Sequence, residues 1–118
     1  MERLRRRADF KAVAGGKRVA RQAFVLQALE VSGNSGDRPP RVGFTVTRKT
    51  GNAVVRNRIR RRLKAAVAEA GERLESATDY VVIGRRAALT LQFQRLVTDL
   101  ETGLAALSRN RQAPDRPV

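Results

Sequence analysis

The chain has 118 residues and a formal net charge of +14 at pH 7, because 25 lysines and arginines face only 11 aspartates and glutamates. This length fits one domain with a modest core, and so large a positive excess points to a polyanionic partner, either nucleic acid or an anionic membrane. Cysteine and histidine are both absent, which excludes disulfides, thiolate or imidazole metal sites, cysteine nucleophiles and serine–histidine triads.

A membrane is the weaker of these two partner classes. No apolar run approaches the ~20 residues that a bilayer-spanning helix needs, and no signal-peptide apolar region follows the basic residues 1–7. The acidic residues show no paired spacing that is typical of a catalytic or metal site. We therefore expect a cytoplasmic protein with no membrane partner, no catalytic residues and no metal site of its own.

The N-terminal part of the chain predicts an arm followed by a short helix. Residues 1–7 are basic, and we expect them to be mobile until they meet a partner. Asp9 to Ala14 predicts the helix, and Gly15-Gly16 ends it. Phe10 lies on the apolar side of this helix. From the residues alone, an ordinary core contact is the favoured role of its ring.

Two strands and a loop come next. Val19 to Val31 predicts a strand, and residues 32–40, which are rich in Gly, Asn, Ser and Pro, predict a surface loop. Arg41 to Lys49 alternates with the period of a strand. Its apolar face carries Val42, Phe44 and Val46, and its small, hydroxyl-bearing and basic face carries Gly43, Thr45, Thr47 and Lys49.

Residues 51–64 are the most distinctive stretch of the sequence. Between Arg56 and Lys64 almost every position is basic. Asn52 is placed to cap a helix that runs from Ala53 to about Ala70, and Gly51 lets the chain turn into it. Gly71 is the predicted end of this helix, and a frayed continuation through Leu74 is the alternative. Apolar residues recur at steps of three and four and form one stripe along this helix, made of Val55, Ile59, Leu63, Ala66, Val67, Ala70 and Leu74.

The basic residues of this helix cost free energy. Like charges four residues apart repel by roughly 0.2–0.5 kcal/mol per pair, and cations near a helix N-terminus oppose the macrodipole. No acidic residue offsets them before Glu69. A solvated face is one interpretation of such a run. Because the charges have a single sign, a bound polyanion is the favoured one.

The C-terminal part predicts a strand, a helix and a tail. Asp79 to Gly84 contains a short apolar run that is typical of an interior strand, and the basic turn Arg85-Arg86 follows it. Thr90 is a candidate N-cap for a last helix whose apolar face extends to Leu107. Residues 109–118 lack apolar periodicity and predict a disordered tail.

The predicted element order is therefore α-β-β-α-β-α. This order indicates an α+β fold in which helices pack on a small sheet. We assign residues 1–108 to a single nucleic-acid-binding domain, with residues 1–7 as its basic arm. Residues 109–118 form the tail of this domain.

The strand, turn and helix of residues 42–64 resemble the protein subunit of bacterial ribonuclease P. The resemblance rests on Val42 to Lys49, on Gly51 to Val55 and on Arg56-Asn57-Arg58, which match the family's signature almost throughout. It extends to the helix with Asp9-Phe10, to the strand with Phe24-Val25-Leu26 and to the strand Asp79 to Ile83. A basic helix by itself is a weak signal, whereas this continuous motif is a specific one.

The resemblance carries implications for fold and function. It implies the fold seen in the second domain of a small-subunit ribosomal protein, with a left-handed β-α-β crossover that handedness statistics would not favour. It implies that a large catalytic RNA hydrolyses precursor tRNA with bound Mg²⁺. The protein would bind this RNA in a 1:1 complex, contact the 5′ leader of the precursor, and hold no cofactor by itself.

The resemblance also implies roles for individual residues. The family's arginine helix lies near the RNA subunit, and the RNA-binding positions carried over to this sequence are Arg48, Lys49, Arg56, Asn57, Arg58, Arg60, Arg61, Arg62 and Lys64. The family's leader-binding cleft lies between the first helix and the sheet, and the matching positions are Phe10, Arg21, Thr45 and Thr47. For Phe10, the resemblance favours an RNA contact over a core contact.

Two positions depart from the family's pattern. Ala14 and Gln27 stand where aromatic residues are common, so we expect a thinner stacking surface in the cleft. An alternative function is a basic ribosome- or nucleoid-associated protein with no enzymatic role, and composition does not separate the two. Sequencing the RNA that copurifies with the protein would separate the two functions, because a ribonuclease P subunit predicts one dominant structured RNA.

Overall fold

The structure is a computed structural model that describes residues 2–31 and 38–112, without the side chains of residues 109–112. Within these residues the chain forms five strands and three helices, which are β1 (Glu2–Arg3), α1 (Arg7–Ala14), β2 (Lys17–Ala20), β3 (Phe24–Glu30), β4 (Arg41–Thr45), α2 (Ala53–Glu69), β5 (Thr78–Gly84) and α3 (Phe93–Gln112). Three short 3₁₀ turns lie between them, at Arg48–Thr50, Gly71–Arg73 and Arg86–Leu89.

The strands form one mixed sheet in the order β1-β4-β5-β3-β2. The central pair, β4 and β5, is parallel and is connected through α2, whereas β3 runs antiparallel to both β5 and β2. Gly43 pairs with Val81 and Thr45 pairs with Ile83. Because side chains alternate along a strand, these four residues share one face of the sheet.

The main core lies on the opposite face, under α2 and α3. Its largest fully buried side chains are apolar and come from strands and helices alike, among them Phe24, Leu26, Val82, Ile59, Leu63, Leu96 and Leu100. Gly84 allows β5 and α2 to approach closely, because a Cβ built there would lie 2.7 Å from Cγ2 of Ile59. This close packing fixes α2 against the sheet.

A smaller apolar cluster lies between α1 and the other face. Leu4, Val13 and Val81 are buried in it, and Phe10 and Ile83 pack against it while remaining partly exposed. The sheet is therefore covered by two helices on one side and by one short helix on the other. The short helix leaves part of this second sheet face accessible.

The predicted α+β class and the main elements are confirmed. The helix predicted from Asp9 to Ala14 begins two residues earlier, at Arg7, and the helix predicted over 53–70 ends at Glu69, with Ala70 as its C-cap. The strand predicted over 79–84 is β5. The described residues contain no helix that is both long and apolar enough to cross a membrane.

Several boundaries were wrong. The basic arm predicted over residues 1–7 does not extend away from the fold within the described residues, because Glu2–Arg3 form β1 beside β4 and Leu4 is buried. The single strand predicted over 19–31 is a hairpin of β2 and β3, which pair antiparallel. These two added strands change the element order to β-α-β-β-β-α-β-α. The strand predicted to end at Lys49 ends at Thr45, since residues 48–50 turn into a 3₁₀ helix that leads to α2.

The C-terminal predictions also need correction. Thr90 is not an N-cap, because it follows the 3₁₀ turn Arg86–Leu89 as its C-cap and α3 begins only at Phe93. Residues 109–112, predicted as the start of the tail, continue α3. The rest of the predicted tail, 113–118, lies outside the described residues, as do residues 32–37 of the predicted loop.

Candidate nucleic-acid interface

The start of α2 is fixed by its cap. The Oδ1 atom of Asn52 accepts a hydrogen bond from the Val55 amide at 2.9 Å, which satisfies one of the free N–H groups of the first turn. A Cβ built on Gly51 would lie 2.7 Å from Cγ1 of Val55, so the turn into α2 needs a glycine for close approach. The predicted apolar stripe is buried through Ile59, Leu63, Ala66 and Val67.

The remaining circumference of α2 carries its basic side chains. The cations Arg58 and Arg61 and the neutral Asn57 are exposed, while the cations Arg60 and Lys64 are partly buried. Among the described residues, no ion pair within 4.0 Å involves any of these cations. The positive charge of this face therefore has no counterion within the described protein.

Lys64 shows how crowded these charges are. Burial lowers the pKa of the Lys64 ammonium, and the nearby positive charges of Arg3 and Arg60 lower it further. Arg3 belongs to β1, so the N-terminal strand brings another cation beside α2. Sequence reasoning missed Arg3 because it treated residues 1–7 as a mobile arm.

Two arginines of α2 are oriented by main-chain carbonyls. The Nε atom of Arg56 donates to the Gly51 carbonyl at 3.2 Å. Arg62 donates from Nε to the Ala88 carbonyl at 2.9 Å and from Nη2 to the Leu91 carbonyl. A carbonyl orients a guanidinium without neutralising its charge. Arg62 differs from its neighbours because it connects α2 to the turn after β5.

The end of the sheet nearest α2 is also basic. Arg48 and Lys49 are exposed on the 3₁₀ turn that precedes α2. Arg86 donates from Nη1 to the Thr50 carbonyl at 2.7 Å, and Arg85 donates from Nη1 to the Arg21 carbonyl at 3.0 Å. The sequence showed Arg85-Arg86 as a basic turn, but it gave no sign that this turn lies beside residues 48–50.

The sheet face with the residues predicted to bind the leader lies beside α1. The end of the Phe10 ring approaches Gly43 so closely that a Cβ built there would lie 2.4 Å from the ring's Cζ atom. Thr45 follows Gly43 on the same face and is partly exposed. Thr47 lies beyond the end of β4, where its hydroxyl is 3.4 Å from that of Thr50. Arg21 lies in the turn between β2 and β3.

The predicted site residues thus fall into two groups. The α2 face and the turn at 48–50 bring together the predicted RNA-binding cations, with Arg62 directed into a protein contact. Phe10 and Thr45 share one sheet face, and Thr47 and Arg21 lie toward its end. Gln27 pairs with Val81 and is buried on this same face, whereas Ala14 is exposed at the end of α1.

The opposite end of α2 is acidic. Glu69 and Glu72 lie at and just beyond its last turn, and Glu75 and Glu101 line the same groove between α2 and α3, which has a volume of about 580 Å³. Glu75 accepts a hydrogen bond from the Ser108 hydroxyl at 2.7 Å. Within the described residues, no group of three or more acidic side chains is arranged to hold a metal ion.

Known proteins resemble this chain in sequence. The family model described as Ribonuclease P matches residues 1–108. The ribonuclease P protein component of Brucella suis is 41% identical over 121 residues, which cover 97% of this chain and 85% of that protein. The component from Paramagnetospirillum magneticum is 47% identical over 112 residues, covering 92% of this chain and 82% of that protein.

Solved structures agree with the sequence matches. The RNase P protein of Staphylococcus aureus superposes with a TM-score of 0.71 at 29% identity, covering 90% of this chain and 94% of that one. The RNase P protein from Thermotoga maritima gives a TM-score of 0.71 at 28% identity, covering 92% of this chain and 97% of that one. This chain belongs to the ribonuclease P protein family.

Proposed function

We propose that this chain is the protein subunit of a ribonuclease P and that its α2 face binds the RNA subunit. The observation that carries the proposal is a set of exposed, uncompensated cations on a helix whose position is fixed by the Asn52 cap and by a buried apolar stripe. Phosphates supply the counterions that the described protein lacks. Arginine suits this role because its planar fork binds phosphate oxygens in pairs.

The second part of the proposal concerns the substrate. The cleft beside α1, with Phe10, Arg21, Thr45 and Thr47, binds the 5′ leader of precursor tRNA. A ring that is only partly buried can stack on an unpaired base, and the basic turns beside the cleft can contact the leader's phosphates. The protein contributes binding free energy to the precursor and none to mature tRNA, which lacks a leader.

The chemistry belongs to the RNA in this proposal. The RNA subunit hydrolyses the phosphodiester bond with Mg²⁺ that it holds itself, and one protein binds one RNA. The protein supplies RNA contacts, so its effect on catalysis is greatest where RNA folding and substrate binding are weak. Low Mg²⁺ concentration is such a condition, because fewer cations then screen the repulsion between the two RNAs.

The test is cleavage of precursor tRNA by the cognate RNA subunit at low Mg²⁺, with and without the protein. We expect the protein to raise kcat/KM for the precursor. A variant with Asn57, Arg58 and Arg61 replaced by Ala keeps the apolar stripe and should lose most of the gain. Replacing the exposed Ala65 and Ala68 of the same helix by Ser is the matched control.

Equal kcat/KM with and without the protein would reject the proposal. Sequencing of the RNA that copurifies from cells separates it from the alternative of a ribosome- or nucleoid-associated protein. The proposal requires one dominant structured RNA. A broad mixture dominated by ribosomal RNA would support the alternative.

A further inference from the structure

Phe10 lies with the end of its ring against the backbone of Gly43. We infer that Gly43 is a positioning residue for Phe10: by lacking a side chain, it sets the place of the ring above the sheet and thereby the width of the cleft for a leader base. This inference rests on the proposed leader binding by the cleft. It assigns a function to a glycine of β4, which has no side chain with which to bind RNA.

The geometry of the contact is specific. A Cβ built on Gly43 would lie 2.4 Å from Cζ, 2.7 Å from Cε2 and 3.0 Å from Cε1 of Phe10. Non-bonded carbon atoms normally lie about 3.5–4.0 Å apart. Any side chain at position 43 would therefore displace the end of the ring by roughly 1 Å or more.

The helix that carries the ring has little freedom to move with it. Val13, one turn later in α1, is fully buried under the sheet. Gly16, just after α1, approaches β3 so closely that a Cβ built there would lie 2.2 Å from the Ala28 carbonyl oxygen. At the other end of α1, Asp9 lies 3.6 Å from the guanidinium of Arg41.

These contacts fix α1 at both ends, so the displacement falls on the Phe10 side chain. A ring pushed off the sheet changes the surface that it offers to a base. Thr45 and Ile83, which come next on the same face, form the adjoining part of the cleft. Gly43 thus determines how the ring and this surface are placed relative to each other.

The experiment is a double-mutant cycle in the reconstituted holoenzyme. The variants are Gly43→Ala, Phe10→Ala and the two combined, and the measurement is the ratio of Kd values for mature and precursor tRNA. We expect Gly43→Ala to lower this selectivity by about 5-fold or more, up to the loss caused by Phe10→Ala. In the Phe10→Ala background, Gly43→Ala should cause no further loss, because no ring remains to be displaced.

Gly71→Ala is the matched control, since a Cβ built at that position meets nothing within 4 Å. Unchanged selectivity in Gly43→Ala, or an equal loss with and without the Phe10 ring, would overturn the inference. So would a Gly43→Ala protein that no longer folds, because Gly43 would then serve the fold rather than the ring.

The outcomes separate this inference from the function on which it rests. If Phe10→Ala lowers selectivity and Gly43→Ala does not, only the positioning role fails. If Phe10→Ala itself leaves selectivity unchanged, the leader does not bind at this ring. The proposed leader binding and the positioning role of Gly43 are then both rejected, whereas the proposed RNA binding by the α2 face is not affected. Melting temperatures of all variants show whether each protein is folded under the conditions of the binding assay.

Discussion

Arg41 and Asp79 face each other across the parallel strands β4 and β5, joined by two hydrogen bonds of 2.9 and 2.8 Å from Nε and Nη2 to the two carboxylate oxygens. Arg38 donates to the same carboxylate at 3.1 Å. Asp79 is buried, so its charge depends on these partners. The arrangement connects the start of both central strands and, through Asp9, the first turn of α1.

Asp79 should make the stability of the fold dependent on pH. Burial raises the pKa of its carboxyl, but hydrogen bonds from Arg41 and Arg38 and their positive charges outweigh burial, so the pKa lies below its ordinary value of 3.8. The ionised carboxylate therefore stabilises the fold at any pH above 3.8. This contribution is lost as the pH falls through the lower pKa of the folded state.

Replacing Asp79 by Asn tests this role. We expect the free energy of unfolding in urea to fall by about 1.5–3 kcal/mol at neutral pH, the range for a hydrogen bond to a charged group. The difference from the unsubstituted protein should narrow as the pH falls below 3.8. Asp99→Asn is the control, because Asp99 pairs with the largely exposed Arg95 and should contribute less than about 1 kcal/mol. A difference that stays constant with pH would contradict the prediction.

Adjacent arginines of α2 should behave differently. Arg61 is exposed and makes no contact within the described protein that would fix it, so Arg61→Ala should leave the melting temperature nearly unchanged. Arg62 donates to two main-chain carbonyls, so Arg62→Ala should lower the free energy of unfolding by about 1–3 kcal/mol. Thermal melts of the two proteins make the comparison. Equal melting temperatures would show that the carbonyl contacts of Arg62 do not stabilise the fold.

Binding to the RNA subunit should weaken steeply with salt. If about six phosphates meet the basic face of α2, log K against log salt should slope near −5, because each duplex phosphate contact contributes about −0.9. Arg61→Ala should make the slope shallower by about 1, because one phosphate contact is lost. Filter-binding or fluorescence titrations over a series of salt concentrations measure it. A slope near zero would be incompatible with a phosphate-binding face.

Phe10→Ala should weaken the holoenzyme's binding of precursor tRNA by roughly 5- to 100-fold and leave mature tRNA unaffected, because stacking is worth about 1–3 kcal/mol per base. A buried Phe would instead cost about 3–5 kcal/mol of stability and impair every activity. Since the ring is only partly buried, we expect a smaller loss of stability than this. Leu107→Ala, at a buried core position of α3, is the control. It should lower the melting temperature without changing the preference for precursor over mature tRNA. A large fall in melting temperature with equal effects on both tRNAs would assign Phe10 to the core.

The protein alone should cleave no precursor tRNA at any Mg²⁺ concentration. The chain has no histidine or cysteine, and its described carboxylates form no cluster of three or more that could hold a metal ion. The assay uses RNA-free protein purified under denaturing conditions and refolded. Cleavage of precursor tRNA that persists through a second purification of the protein would refute the prediction.

The sequence predicted α2 and its basic face almost completely, because both depend on local patterns. The helical period of the apolar residues and the Asn52 cap lie within a few turns of one another. β1 could not be predicted in this way. Its two residues carry no pattern, and the Glu2 amide donates to the Pro40 carbonyl, far along the chain. The hairpin at Arg21 was missed since the turn between β2 and β3 contains no glycine, proline or asparagine.

The candidate site was predicted only in part, because contacts between distant parts of the chain leave no local pattern in the sequence. A helical projection places Arg62 beside the apolar stripe, but it does not show that the turn after β5 packs there. The contact between Phe10 and Gly43 joins residues of α1 and β4 that come together only in the folded sheet. Their residue types were visible in the sequence, whereas their distance was not.

The distribution of charge along α2 has a consequence for how the protein meets RNA. Its first turns carry the cations, while Glu69 and Glu72 lie at its end, with Glu75 and Glu101 in the groove beside them. The backbone macrodipole of a helix is also positive at the N-terminus. Side chains and backbone therefore add to one electric moment along the same axis. In the field of a polyanion this moment contributes a torque that favours orientations with the start of α2 toward the polyanion before any contact has formed.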